Sequence, residues 1–140
     1  MPHLIIEYSK NLRDTLGPDA FLEALHEAAT ATGEFPPMSL RSRAVELEHY
    51  RVGDGHPENA FIHIVLRIRP GRERERKLEI GDAIFRTATD FLAPAFDTRP
   101  LGLTFEIHEI DVAFRFLKNN MTEYWARRSP ESITTAPPGR

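Results

Sequence analysis

A proline stands at position two, Pro2, and removal of the initiator Met1 would leave it with a free secondary amine, a group no other residue of the chain can offer. Such an amine can take up and return a proton near neutral pH if its surroundings lower its pKa. The residues that could create those surroundings are arginines. Arg41 and Arg43 lie two apart on a strand-like stretch, so both point to one face. Arg72 follows Pro70-Gly71 at the expected start of a long helix. A cation there opposes the helix dipole unless an anion meets it, and the free N–H groups of the helix start would share that anion. Arginine's planar fork suits carboxylates. The other chemistry-bearing groups form no pattern. His3, His26, His49, His56, His63 and His108 are scattered without metal-ligand spacing. Ser9, Ser39 and Ser42 lack a nucleophile-elbow setting, and Gly53-Asp54-Gly55 lacks a third glycine and a following helix.

The elements that must position these groups follow from periodicity. His3 to Tyr8 reads as a strand that would hold the Pro2 amine on a rigid element. A helix is expected from about Pro18 to Thr32, with proline in its first turn and Gly33 past its end. A second strand is expected at about Leu40 to His49, a third at Phe61 to Ile68 and a fourth at Leu101 to Ile107. The long helix is expected from about Arg72 to Leu92, turning Leu78, Gly81, Ile84, Phe85, Ala88, Phe91 and Leu92 inward. Residues 112 to 128 are mixed in pattern, and the Pro/Ser/Thr-rich 129–140 predicts a mobile tail.

The order is β-α-β twice, at an offset of roughly 60 residues, with halves at about 1–60 and 61–128 of a single domain. This predicts an α+β two-layer fold in which duplicated β-α-β units form one four-stranded mixed sheet with two helices on one face. The other face would be bare and apolar, which predicts a cyclic homo-oligomer.

Bulk properties narrow the function classes. The 140 residues suit one compact core, and 41% hydrophobic content argues against disorder. A net charge of −3 argues against nucleic acid or an anionic membrane as partner, and no apolar run reaches membrane-spanning length. Cysteine is absent and no signal-peptide layout opens the chain, which fits a cytoplasmic protein. Only Lys10, Lys77 and Lys118 are lysines among 18 Lys and Arg residues.

Several stretches together resemble the tautomerase superfamily, whose members use an amino-terminal proline as base. Within it the chain is most similar to the 5-carboxymethyl-2-hydroxymuconate isomerases. The stretches are Met1-Pro2-His3, Ala31-Thr32-Gly33 with Phe35-Pro36, Arg41-Ser42-Arg43, Ala60-Phe61 with His63, Gly71-Arg72, Phe105-Glu106-Ile107 with Glu109, and Phe116 with Lys118-Asn119-Asn120. They run in family order over about residues 1 to 120. The resemblance implies a homotrimer without metal or organic cofactor. The implied substrate is a small polycarboxylate dienol from homoprotocatechuate breakdown. Pro2 would match the catalytic proline, and Arg41 and Arg72 the carboxylate-holding arginines. Arg43 is a neighbouring candidate of open role. Three other readings compete with this one. One is another proline-dependent enol–keto tautomerase, of 2-hydroxymuconate or phenylpyruvate type. A second is a non-catalytic trimeric carboxylate-binding protein that keeps Met1. A third is a simple structural oligomer in which the arginines only make surface pairs.

Overall fold

A computed structural model of the chain describes residues 1–128. The tail expected at 129–140 lies outside the described residues. Strand β1 is His3–Ser9, β2 is Arg41–Leu47, β3 is Ala60–Ile68 and β4 is Leu101–Glu109. Helix α1 is the single turn Arg13–Leu16, α2 is Pro18–Ala31, α3 is Arg74–Phe91, α4 is Ala93–Thr98 and α5 is Met121–Arg128. Short 3-10 turns occupy Lys10–Leu12 and Val112–Phe114.

The sheet order is β2-β1-β3-β4. Each half contributes a parallel pair, β1 with β2 and β3 with β4. The halves meet through an antiparallel β1–β3 pair, in which His3 faces Arg67 and Ile5 faces Val65. The expected duplicated mixed sheet is therefore what the chain forms, with its two halves related through that central pair.

Alternation in β1 and β3 decides which side is the core. Leu4, Ile6 and Tyr8 of β1 and Ile62, Ile64 and Leu66 of β3 are buried beneath the helices. Helix α2 meets them with Phe21, Leu25 and Ala29, and α3 with Ile80, Ile84 and Ala88, each set at i, i+4, i+8 spacing. Burial of a large aliphatic side chain stabilises by about 1.5–3 kcal/mol, so these stripes fix both helices on the sheet. Gly17, at φ +62°, lets the chain turn from α1 into α2 directly before Pro18.

Three expectations need correction. The long helix begins at Arg74, with Glu73 as its extended N-cap residue, so Arg72 lies in the preceding loop. Its inward stripe runs through Ile80, which sequence periodicity passed over, while Leu78 is 57% exposed, Phe85 40% and Phe91 37%. Leu78, Gly81 and Phe85 instead line a groove against Leu103, Phe105 and Ile107 of the edge strand β4. The uncovered sheet face is not simply apolar either. Its side chains, out of phase with the core, include Ile5 and Val65, but also Arg41, Arg43 and Arg67 at one end. Near its middle His63 stands 3.6 Å from Glu7 and 3.2 Å from Glu106, and His108 lies 3.0 Å from Glu106.

Candidate active site

Pro2 is buried at the start of the central strand β1, the position where an amine would be held most rigidly. Its carbonyl accepts a hydrogen bond from the Arg41 backbone N–H at 3.0 Å. That bond opens the parallel β1–β2 ladder and sets His3 opposite Arg41. The antiparallel ladder puts Arg67 across from His3 on the other side, so continuing it brings Arg69 level with the chain terminus. Two basic stretches thus flank the amino-terminal end because of strand register, not sequence proximity.

Arg41 turns its guanidinium back onto its own turn. Nη1 donates to the carbonyls of Met38 and Ser39 at 2.7 Å each, and Nη2 lies 2.8 Å from Met121 Sδ. Arg43 shares the face of Arg41, as expected, and its Nη1 lies 3.0 Å from His3 Nδ1. Arginine only donates, so this contact needs Nδ1 as acceptor and the proton on Nε2. The His3 pKa is lowered first by burial, then by Arg43, Arg67, the terminal amine and Arg41, consistent with a neutral ring.

The terminal amine is that of Met1, one residue ahead of Pro2. Its pKa is lowered from the ordinary 8.0, first by burial and then by the charges of Arg115, Arg69 and Arg41. Each factor disfavours the ammonium form. Of the expected site arginines only Arg41 belongs to this set.

Arg72 is committed elsewhere. Its Nε donates to Glu34 Oε2 at 2.9 Å and its Nη2 to the Glu34 carbonyl at 3.0 Å. The guanidinium also lies over the Phe35 ring, 5.2 Å from its centroid. Arg76 grips the second carboxylate oxygen of Glu34 and the carbonyl of Thr32. The Glu34 pKa is lowered, chiefly by the Arg76 hydrogen bond, against the opposing effect of burial and with help from Arg72. The expected anion site at a helix start is thus filled by this chain's own carboxylate, and the helix begins two residues later.

Arg69 and Arg115 were missed by sequence reading. Arg69 sits two residues after Arg67, in the alternation of β3, but only the antiparallel register reveals that it faces the terminus. Arg115 lies in the mixed stretch after β4 and carries no sequence signal. In the structure its neighbours stand out, Phe114 being 78% exposed and Phe116 93%, an unusual display of aromatic surface.

The fold is that of the tautomerase class. A solved structure described as a W0 fused 4-OT wild type symmetric trimer matches with a TM-score of 0.58 at 23% identity, covering 77% of this chain and 86% of that one. The chain itself belongs to the 5-carboxymethyl-2-hydroxymuconate isomerase family, whose profile matches residues 2–125. The 5-carboxymethyl-2-hydroxymuconate Delta-isomerase of Escherichia coli is 31% identical over 121 residues, covering 86% of this chain and 96% of that protein. The crystal structure of a 5-carboxymethyl-2-hydroxymuconate isomerase from Deinococcus radiodurans R1 superposes with a TM-score of 0.82 at 37% identity, over 89% of this chain and 93% of that one.

Proposed function

We propose that this protein isomerises the dienol 5-carboxymethyl-2-hydroxymuconate to its conjugated 2-oxo form, using the amine of Pro2 after removal of Met1. The observation that carries this reading is the chain terminus itself. It stands one residue ahead of Pro2 at the start of the central strand, partly buried, with the charges of Arg115, Arg69 and Arg41 lowering the pKa of the Met1 amine; removal of Met1 would put the Pro2 nitrogen among the same cations.

In this mechanism the neutral amine accepts the proton of the enol hydroxyl. The electron pair released passes along the conjugated system, and the ammonium returns its proton to the carbon at the far end. One group performs both transfers, so the atoms balance without a further acid, base, metal or organic cofactor. An α-amino group titrates near pH ~8. A proline amine lies somewhat higher, and burial with the nearby cations would lower it toward neutrality, leaving more of it in the neutral form that acts. The nearby cations serve a second purpose by stabilising oxyanion character as the enolate forms.

Arg41 and Arg72 are the proposed carboxylate-binding residues, with Arg43 supporting His3 beside them. Arg41 has no carboxylate partner among the described residues and is available to a substrate. Arg72 reaches a substrate carboxylate through its remaining N–H groups or by exchange with Glu34. A homotrimer is part of the proposal. It is supported by the uncovered sheet face and the exposed Phe114 and Phe116, and it agrees with the trimer described for the fused 4-OT. A cytoplasmic place in homoprotocatechuate breakdown completes it; among the described residues no helix is long and apolar enough to cross a membrane.

The deciding experiment follows loss of dienol absorbance above spontaneous ketonisation, on protein whose intact mass shows Met1 to be absent. Acceleration supports the reading. No acceleration, with Pro2 verified as the terminus, removes it in favour of another enol or a binding role.

A further inference from the structure

The stretch after β4 crosses the amino-terminal end of the whole sheet. At its start the Ile110 N–H donates to the Ile68 carbonyl at 2.9 Å, beside the end of β3. At its far end Met121 Sδ meets Arg41 at the start of β2, on the opposite edge. Between these two anchors lies Arg115. Residues 110–121 therefore form a strap over the terminus, and the strap brings a guanidinium that neither β-α-β unit supplies.

Among the described residues Arg115 and Arg99 each have a buried Nε without a hydrogen-bond partner. Arg99 is otherwise anchored, its Nη1 and Nη2 donating to the carbonyls of Asn11 and Glu58. A buried guanidinium N–H without an acceptor is unfavourable, and such groups are seldom left so. The surroundings of Arg115 make this worse. Arg41 and Arg69 act on the same terminal amine. None of the three has a carboxylate oxygen within 4.0 Å among the described residues. Elsewhere Arg72 and Arg76 share Glu34, Lys10 meets Glu48 and Lys77 meets Glu109, so the three arginines differ from those cations in facing one another and the terminal amine without a carboxylate. Like charges gathered without a counter-charge repel one another, and the arrangement gains most from an anion placed among them.

We propose that Arg115, together with Arg69, forms a carboxylate-binding position next to the terminal amine, separate from those of Arg41 and Arg72, and that it takes one carboxylate of the substrate. This rests on the isomerase reading above. A substrate with three carboxylates needs more cationic contacts than Arg41 and a Glu34-bound Arg72 provide. Arg115 comes from the strap and Arg69 from the end of β3, so the two approach the amine from elements different from that of Arg41. A dienol seated among them has its reacting system beside the nitrogen, with its carboxylates spread to either side.

The test uses Met1-free protein in wild-type, Arg115→Ala, Arg115→Lys and Arg69→Ala forms. Each is assayed on 5-carboxymethyl-2-hydroxymuconate and on 2-hydroxymuconate, which lacks the carboxymethyl arm. Binding of tricarballylate, an unreactive tricarboxylate, is measured by calorimetry at low salt. Arg115→Ala should raise KM for the armed dienol by about tenfold or more and weaken tricarballylate by a similar factor, while kcat changes much less. Arg115→Lys should recover part of the loss, and Arg69→Ala should follow in the same direction. Unchanged KM and unchanged tricarballylate affinity in Arg115→Ala overturn the proposal, and leave the isomerase reading intact if the wild type is active. A fall in melting temperature or kcat with tricarballylate affinity unchanged also overturns it, because the role is then structural. If the wild type accelerates neither dienol, the isomerase reading fails. The tricarballylate comparison alone then decides the site, loss of affinity in Arg115→Ala sustaining it and no loss overturning it.

Discussion

Arg72 and Glu34 are joined twice: Nε of Arg72 donates to the Glu34 carboxylate at 2.9 Å and Nη2 to its carbonyl at 3.0 Å. The pair ties the loop before α3 to the loop after α2, and Arg76 closes the other side of the same carboxylate. Glu34 is partly buried, so the pair is screened less than a surface bridge. The Glu34 pKa lies below its ordinary 4.5 in the folded protein. A depressed carboxylate pKa contributes stability that is full above the unfolded value and disappears as pH falls through the folded one. Stability should therefore decline from about pH 4.5 downward. Glu34→Gln should flatten that decline and lower the melting temperature at pH 7 by roughly 2–8 °C. Thermal melts of both proteins between pH 3 and 7 are the check; equal acid slopes would show that Glu34 is not the group responsible.

The same geometry sets what Arg72 should do in turnover. Arg72→Ala removes a carboxylate-binding group of the proposed site and leaves Glu34 to Arg76 alone. Binding of the dienol should weaken, with roughly 2–5 kcal/mol at stake if the lost ion pair is desolvated. The loss should appear mainly in KM. Steady-state kinetics checks it, and unchanged kcat and KM would mean that Arg72 only holds Glu34.

The terminal amine gives a prediction with a definite sign. In the proposed mechanism only the neutral amine accepts the enol proton, so kcat/KM falls on the acid side as the amine protonates. Burial and the charges of Arg115, Arg69 and Arg41 lower the pKa of the Met1 amine, and in Met1-free protein the same cations would disfavour the ammonium form of Pro2 and hold its pKa down. Arg69→Ala should therefore raise that pKa and move the acid limb of the profile to higher pH. Pro2→Ala keeps an amine of altered basicity and placement, so activity should fall and partly survive. Profiles of kcat/KM from pH 5 to 9 decide both; a limb that stays fixed in Arg69→Ala argues that burial alone sets the pKa.

How much of this was legible in the sequence follows from which forces are local. Strand alternation at His3–Ser9 and Ala60–Ile68 and the caps around Pro18–Ala31 are local, and they were readable. The inward face of α3 was not, because the helix bears two overlapping apolar stripes. Ile80, Ile84 and Ala88 meet the sheet, while Leu78, Gly81 and Phe85 face the groove beside β4. Periodicity sees both stripes and cannot rank them. Arg41 and Pro2 were singled out by position and resemblance, and a ladder hydrogen bond joins their backbones. Arg69 and Arg115 were invisible because their place depends on antiparallel register and on the path of the strap, both set by contacts between distant residues.

The two stripes of α3 differ in energetic consequence. Ile84 is fully buried, so Ile84→Ala should cost about 2–5 kcal/mol through lost transfer energy and the cavity left behind. Leu78 is 57% exposed, and Leu78→Ala should cost well under half of that in an isolated chain. Urea denaturation of each variant measures the difference. A Leu78→Ala cost that matches Ile84→Ala and grows with protein concentration would place the β4 groove inside an interface between copies.

Assembly can be tested at the centre of the uncovered face. Ile5 and Val65 are directly paired across β1 and β3, on the side away from the helices. They are half-buried within the chain, and Glu7 follows Ile5 two residues along the same face. Val65→Glu would set a carboxylate near Glu7 on a surface that the proposed trimer removes from water. Burying an unpaired charge costs several kcal/mol, whereas the same charge on a solvated surface costs almost nothing. Fold and assembly should therefore separate in this variant. Its circular dichroism should match the wild type while its sedimentation coefficient shifts toward that of the monomer. A variant that stays fully assembled would mean that the face is open to solvent in the oligomer, and that Phe114 and Phe116 hold the copies together instead.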